Sequence, residues 1–212
     1  MHNYTSINIK RSALIIIDMQ NDFVLEHGAA KISGTLAVVP AMQEAVQAYR
    51  AKGLPIAHVI RIYKADGSNV DLCRRAAIEG GASIVLPHSD GAEIVDSLKP
   101  QPDITLDAEK LLRGEAQQIA SNEYVFYKPR WGAFYQTKLE QFLKARDIDS
   151  LIFIGCNYPN CPRSSIYQAS ERDFRLGLLT DAVSQLYPKG EEEMRNIGVN
   201  LFSVRELLGL LE

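Results

Sequence analysis

Leu151-Ile152-Phe153-Ile154-Gly155-Cys156-Asn157-Tyr158-Pro159-Asn160-Cys161-Pro162 is the stretch on which the reading of this chain turns. Residues 151–154 run apolar without alternation, as a strand buried on both faces does. Gly155 breaks the pattern, and Asn157 and Pro159 have turn character. Pro162 suits the first position of a helix, where its missing N–H costs nothing. Ile166, Ala169, Ser170 and Phe174 then recur at helical spacing. The spacing predicts Cys161 at a helix N-terminus, just beyond the C-terminal end of a central strand. Free N–H groups and the positive end of the helix dipole there lower a thiol's pKa and can hold a developing oxyanion. Cys161 is a candidate nucleophile on that ground, although a single cysteine also reads as a small buried hydrophobe.

Outward from this stretch, strand and helix patterns alternate. Ser12–Ile17 is a continuous apolar strand ending in Asp18, and Thr35–Lys52 carries an apolar stripe closed by Gly53. Pro55–Ile60 reads as a second strand and Tyr124–Tyr127 as a third, followed at once by Lys128. Thr137–Arg146 is helical, the strand at 151–154 is the fourth, Arg175–Leu179 a fifth and Val199–Val204 a last; Glu191–Asn196 and Glu206–Leu211 are helical. The span 62–102 is long for bare loop. Helix is expected at Val70–Glu79 and Ala92–Leu98, and the span is expected to wall a pocket. Ile104–Leu106 is read as a small strand and Ala116–Ala120 as a short helix. The alternation predicts one α/β domain over 1–212: a Rossmann-like three-layer α/β/α sandwich around a mostly parallel six-stranded sheet of order 3-2-1-4-5-6. The first strand is not followed by G-x-G-x-x-G, which removes the main support for dinucleotide binding.

Composition narrows the class. The chain has 212 residues, enough for one sizeable core, and an ordinary apolar fraction of 46%. A net charge of −3 argues against a dedicated nucleic-acid binder. The apolar run Leu14–Ile17 is too short for a signal-peptide core or a membrane span, which points to the cytoplasm. Three cysteines, Cys73, Cys156 and Cys161, do not make a disulfide framework. The spacing of the last two fits neither a thioredoxin-type pair nor a zinc site.

In the expected topology, strands one and four are neighbours at the point where the direction of winding reverses and a crevice opens. Strand three lies roughly 10 Å from strand one, a gap that a lysine can largely span. Asp18, Lys128 and Cys161 can therefore converge. Their chemistry is coherent: Lys128 stabilises the thiolate, Asp18 takes and returns a proton, and the thiolate attacks a carbonyl held by backbone N–H groups. An ordinary ion pair beside a bystander thiol reads equally well from position alone.

These residues resemble the isochorismatase-like cysteine hydrolases, which include nicotinamidases, N-carbamoylsarcosine amidases and ureidoacrylate amidohydrolases. The likeness spans nearly the whole chain. It rests on Leu14–Phe23 with Asp18, on Lys128-Pro-Arg-Trp-Gly-Ala-Phe134 with Thr137 and Leu139, and on Gly155 through Asn160-Cys161 followed by Asp173 and Thr180-Asp181-Ala182. The resemblance implies an Asp18–Lys128–Cys161 triad and a thioester at Cys161. It also implies oxyanion donors at the backbone N–H groups of Asn157 and Cys161, a cis peptide at Cys156–Asn157, and a homo-oligomer, dimer or tetramer.

Departures from the family pattern bear on the substrate. The nucleophile is followed by Pro162-Arg163-Ser164-Ser165, an Asn-Cys-Pro-Arg variant of the motif. The second strand lacks the Asp-x-His cluster of the nicotinamidase metal site, and His58, inside that strand, reads as a core or supporting histidine. No metal and no cofactor are expected. Vinyl-ether-cleaving isochorismatases often lack the cysteine, so Cys161 favours a small-molecule amide, ureide or carbamoyl substrate. The alternatives are a vinyl-ether hydrolase and a non-enzymatic small-molecule-binding protein. Phe23, Trp131 and Tyr158 are candidate pocket walls. Arg61 or the pair Arg74-Arg75 is a candidate carboxylate grip, with a solvated surface pair as the plain reading of the latter.

Overall fold

The computed structural model describes residues 4–212. Seven strands form one sheet: β1 (Ser12–Ile17), β2 (Ile56–Ile60), β3 (Gln117–Ala120), β4 (Glu123–Tyr127), β5 (Ser150–Gly155), β6 (Arg175–Val183) and β7 (Asn200–Phe202). Among the described residues eight α-helices are interleaved: α1 (Asn21–Val24), α2 (Thr35–Lys52), α3 (Leu72–Glu79), α4 (Ala108–Leu112), α5 (Leu139–Lys144), α6 (Cys161–Ser170), α7 (Pro188–Asn196) and α8 (Val204–Leu211). The sheet order is β3-β4-β2-β1-β5-β6-β7. Every pairing is parallel except β3 with β4.

The six parallel strands stand in the order expected from the sequence, and the seventh, β3, is added at one edge. It replaces the short helix expected at Ala116–Ala120. Gln117–Ala120 is too short to show either period, and Ser121 and Asn122 turn it tightly back along β4. Ile119 packs on the core while Gln118 faces out. Ile104–Leu106 is not a strand: its backbone is taken by side chains, the Leu106 N–H donating to Glu93 and the Thr105 carbonyl accepting from Gln117. The helix expected at Ala92–Leu98 is two single 3₁₀ turns, Asp90–Ala92 and Asp96–Leu98.

Strands β1 and β5 are adjacent and wholly buried, which accounts for their unalternated apolar sequence. Successive side chains of β1 enter opposite layers. Leu14 and Ile16 join Met42, Val46 and Tyr49 of α2 and Leu207 of α8. Ala13, Ile15 and Ile17 join Leu139 and Leu143 of α5, Ile166 and Ala169 of α6 and Met194 of α7. Helix α2 ends as its sequence requires. Gly53 is left-handed at φ 64°, and its N–H and that of Leu54 close on the Arg50 and Tyr49 carbonyls. Helix α8 opens on a capping box between Ser203 and Glu206. No helix among the described residues is long and apolar enough to cross a membrane.

The reversal of winding falls between β1 and β5, so the chain leaves β1, β4 and β5 on one side of the sheet around a common crevice.

Candidate active site

Asp18 is the first residue past β1. Its N–H donates to the Val59 carbonyl, and its φ of 54° swings the side chain out of the strand line. Lys128 is the first residue past β4, tied by its N–H to the Ile60 carbonyl and fully buried. Its Nζ lies 2.8 Å from Asp18 Oδ2 and 3.5 Å from the Arg130 carbonyl. The second carboxylate oxygen, Asp18 Oδ1, is buried without a hydrogen-bond donor.

Cys161 opens α6, with Pro162 in the first turn as the sequence suggested. Gly155 makes the approach possible. At φ 126° it lies against β1, where a Cβ would come within 2.3 Å of the Ile17 carbonyl oxygen. The Cys156–Asn157 peptide is cis, as the resemblance implied. The loop is tied by Asn160 N–H to the Asn157 carbonyl and by Tyr158 N–H to Ser184. Neither the Asn157 nor the Cys161 backbone N–H donates to another described residue.

The thiol is not lowered as its position suggested. Burial and the neighbouring Asp18 carboxylate push Cys161 up to about 12, with Lys128 pulling the other way. The ammonium is largely neutralised by Asp18, so its pull does not prevail. At neutral pH the arrangement is a protonated thiol beside a carboxylate with a free acceptor oxygen. Cys156 is buried, its thiol is raised well above the usual range by that burial, and its Sγ donates to the Asp18 carbonyl.

A narrow pocket with a free volume of about 10 Å³ opens over Cys161. Of the residues expected in it, Phe23, Trp131, Arg61 and Arg74 line it together with Asp18, Asn157 and Cys161. Tyr158 does not. It is fully buried in the layer of α6 and α7, its hydroxyl donating to the Gly190 carbonyl and its ring set edge-on to Tyr187. Beside Asn157, which faces the crevice, the next residue in the loop faces the core.

Arg61 is buried and satisfied by an ion pair with Asp71, by the Tyr63 hydroxyl at 3.1 Å and by the Lys128 carbonyl at 3.4 Å. Arg74 is half-buried, with its guanidinium carbon 5.9 Å from the centre of the Phe23 ring and 5.7 Å from that of Trp131. Arg75 lies outside the pocket and donates to the Val70 carbonyl. Sequence reasoning missed Tyr63 and Asp71 in the lining, and missed Gln20. The Gln20 amide bridges the Arg61 backbone to the Ala92 carbonyl and so pins the exit of β2. Only the position of Gln20 within the Asp18 motif hinted at it.

His58 is a core histidine, its Nε2 2.7 Å from Glu123 Oε1. Arg50 grips both oxygens of the same carboxylate. The residues past β2 are Arg61, Ile62 and Tyr63, and among the described residues no three His, Cys, Asp or Glu side chains are grouped to hold a metal ion. The donor set does not fit the nicotinamidase-type metal.

The Isochorismatase domain model matches residues 12–199. The chain belongs to the isochorismatase family. It is 32% identical to an isochorismatase family protein from Desulfovibrio vulgaris, whose crystal structure superposes with a TM-score of 0.81 over 95% of this chain and 98% of that one. Among curated relatives, a probable inactive nicotinamidase of Arabidopsis thaliana is 29% identical, covering 93% of this chain and 94% of its own. The ureidoacrylate amidohydrolase RutB of Azorhizobium caulinodans is 26% identical, covering 93% and 86%. The chain is thus an isochorismatase-like hydrolase, an enzyme whose curated relatives include ureidoacrylate amidohydrolases.

Proposed function

We propose that this isochorismatase-like hydrolase cleaves a small-molecule amide, ureide or carbamoyl C–N bond through a thioester at Cys161. The observation that carries the reading is the Asp18 carboxylate. One of its oxygens is bound to Lys128 and the other has no donor, and both Asp18 and Cys161 line the pocket.

The steps follow from a thiol that starts protonated. Sγ attacks the substrate carbonyl carbon as its proton passes to Asp18 Oδ1. The carbonyl oxygen becomes an oxyanion held by the N–H groups of Asn157 and Cys161. Asp18 returns the proton to the nitrogen, the C–N bond breaks, and the amine or ammonia leaves. Water then gives a proton to Asp18 and attacks the thioester, and the departing thiolate recovers its proton. Lys128 holds Asp18 in place through its 2.8 Å contact and offsets the charge that passes through the thiolate.

The relative named inactive supports a second reading, a binding protein of the same fold. The intact trio in this chain favours hydrolysis. The test is a panel of small amides and ureides assayed with the chain and with Cys161→Ala. Turnover that disappears with the thiol supports the proposal. Turnover of an amide or ureide that survives without it contradicts the thioester, and binding without turnover supports the second reading.

A further inference from the structure

The charges around the pocket do not cancel. Asp18 is paired with Lys128 and Asp71 with Arg61, both pairs buried. Arg74 is the remainder. Among the described residues it has no carboxylate partner, and its side-chain hydrogen bond runs to the Tyr63 hydroxyl at 3.3 Å. The Phe23 and Trp131 rings hold the guanidinium against the pocket, where cation–π attraction fixes it without neutralising it. A second group in the same lining is also unsatisfied. Asp71 is more than nine-tenths buried, and while its Oδ2 takes Arg61 and Tyr63, its Oδ1 has no donor.

We infer that Arg74 is the specificity-determining residue of this site and takes a carboxylate carried by the substrate, while Asp71 Oδ1 accepts an N–H from the same molecule. The substrate class is a small ureido or N-acyl acid, in which the scissile carbonyl reaches Cys161 while the acid group meets Arg74. Arg61 is less available for this role because its charge is already paired with Asp71, and three of its five N–H donors go to Asp71, Tyr63 and the Lys128 carbonyl. A planar guanidinium fork matches a carboxylate in two parallel hydrogen bonds, and the flanking rings restrict its freedom before the ligand arrives. The inference rests on the Cys161 pocket being the reaction site proposed above.

Trp131 is the chain's single tryptophan, so its fluorescence reports on the pocket. The experiment titrates the Cys161→Ser chain with N-carbamoylglycine and with its neutral amide, N-carbamoylglycinamide, and repeats both titrations in Arg74→Gln and Arg74→Lys backgrounds. The acid is expected to bind tighter than the amide by about 10- to 100-fold, the range of a charge-assisted pair. That ratio is expected to fall towards one in Arg74→Gln and to be partly kept in Arg74→Lys. Because each ratio is taken within one protein, a general loosening of α3 does not imitate the effect. Equal affinity for acid and amide, a ratio indifferent to Arg74→Gln, or no saturable signal with either probe overturns the inference. Failure of the hydrolase reading looks different: selective binding persists, but Cys161 of the unsubstituted chain is never acylated.

Discussion

Lys128 Nζ meets Asp18 Oδ2 at 2.8 Å, with both residues buried. A buried pair of this kind is weak evidence for stability, because taking both charges out of water offsets much of their attraction. It is better read as a device that fixes a carboxylate beside a thiol. The free oxygen of Asp18 is then a proton acceptor and at the same time the charge that holds the thiol protonated.

Asp18→Asn therefore separates reactivity from catalysis. Removing the carboxylate takes away a main cause of the raised thiol and leaves Lys128 unopposed, so Cys161 is expected to alkylate at lower pH than in the parent chain. Hydrolysis is expected to fall by about 10²- to 10⁴-fold, the usual value of a positioned acid–base group. Iodoacetamide labelling of the Cys161 peptide across pH, beside steady-state rates, measures both. Labelling and turnover falling together would show that Asp18 serves only to hold the fold.

Lys128→Met acts in the opposite direction. It removes the cation that pulls the thiol down, so alkylation of Cys161 is expected to need a higher pH. It also strands Asp18, and breaking a buried pair by removing one partner typically costs about 3–5 kcal/mol. Urea unfolding measures the cost. An alkylation profile that does not move assigns Lys128 another task.

Far from the pocket, Glu123 gives the fold a pH dependence. Burial alone would raise its carboxyl, but hydrogen bonds from Arg50 and His58 outweigh it and hold the group at about 2. A depressed folded-state value stabilises above the unfolded value of about 4.3 and is lost as pH falls towards 2. The contribution is on the order of 3 kcal/mol. In urea melts from pH 7 to pH 2, the gap between the parent chain and Glu123→Gln is expected to close below about pH 4. A gap that stays constant contradicts the assignment.

Gly155→Ala places a methyl group against the Ile17 carbonyl at a backbone angle that favours glycine. Strain of about 1–3 kcal/mol is expected from the angle alone. Since Ile17 precedes Asp18 and Gly155 precedes the Cys161 loop, activity is expected to fall more than stability. Thermal melts and rates on one preparation test this, and an unaltered rate removes Gly155 from the placement of the site.

The strand ends that deliver Asp18, Lys128 and Cys161 were legible because buried parallel strands write themselves as unalternated apolar runs. β3 was not, since four residues carry neither period and its pairing depends on β4. Tyr158 was placed in the pocket by proximity to Cys161, but direction within a loop cannot be counted from spacing, and its ring faces the core. Asp71 and Tyr63 were invisible for the same reason: they meet Arg61 only because residues 62–71 fold back across the crevice. The thiol was expected to be lowered because the helix end and Lys128 can be read from sequence, whereas burial and the closeness of Asp18 cannot.

Mass spectrometry of Cys161 during turnover is the most direct measurement. The chain is mixed with amides and ureides that it hydrolyses, quenched in acid and digested. The Cys161 peptide is expected to carry the mass of the acyl group, released by hydroxylamine and absent in Asp18→Asn. Turnover with no adduct on Cys161, continuing in Cys161→Ala, would contradict a thioester route.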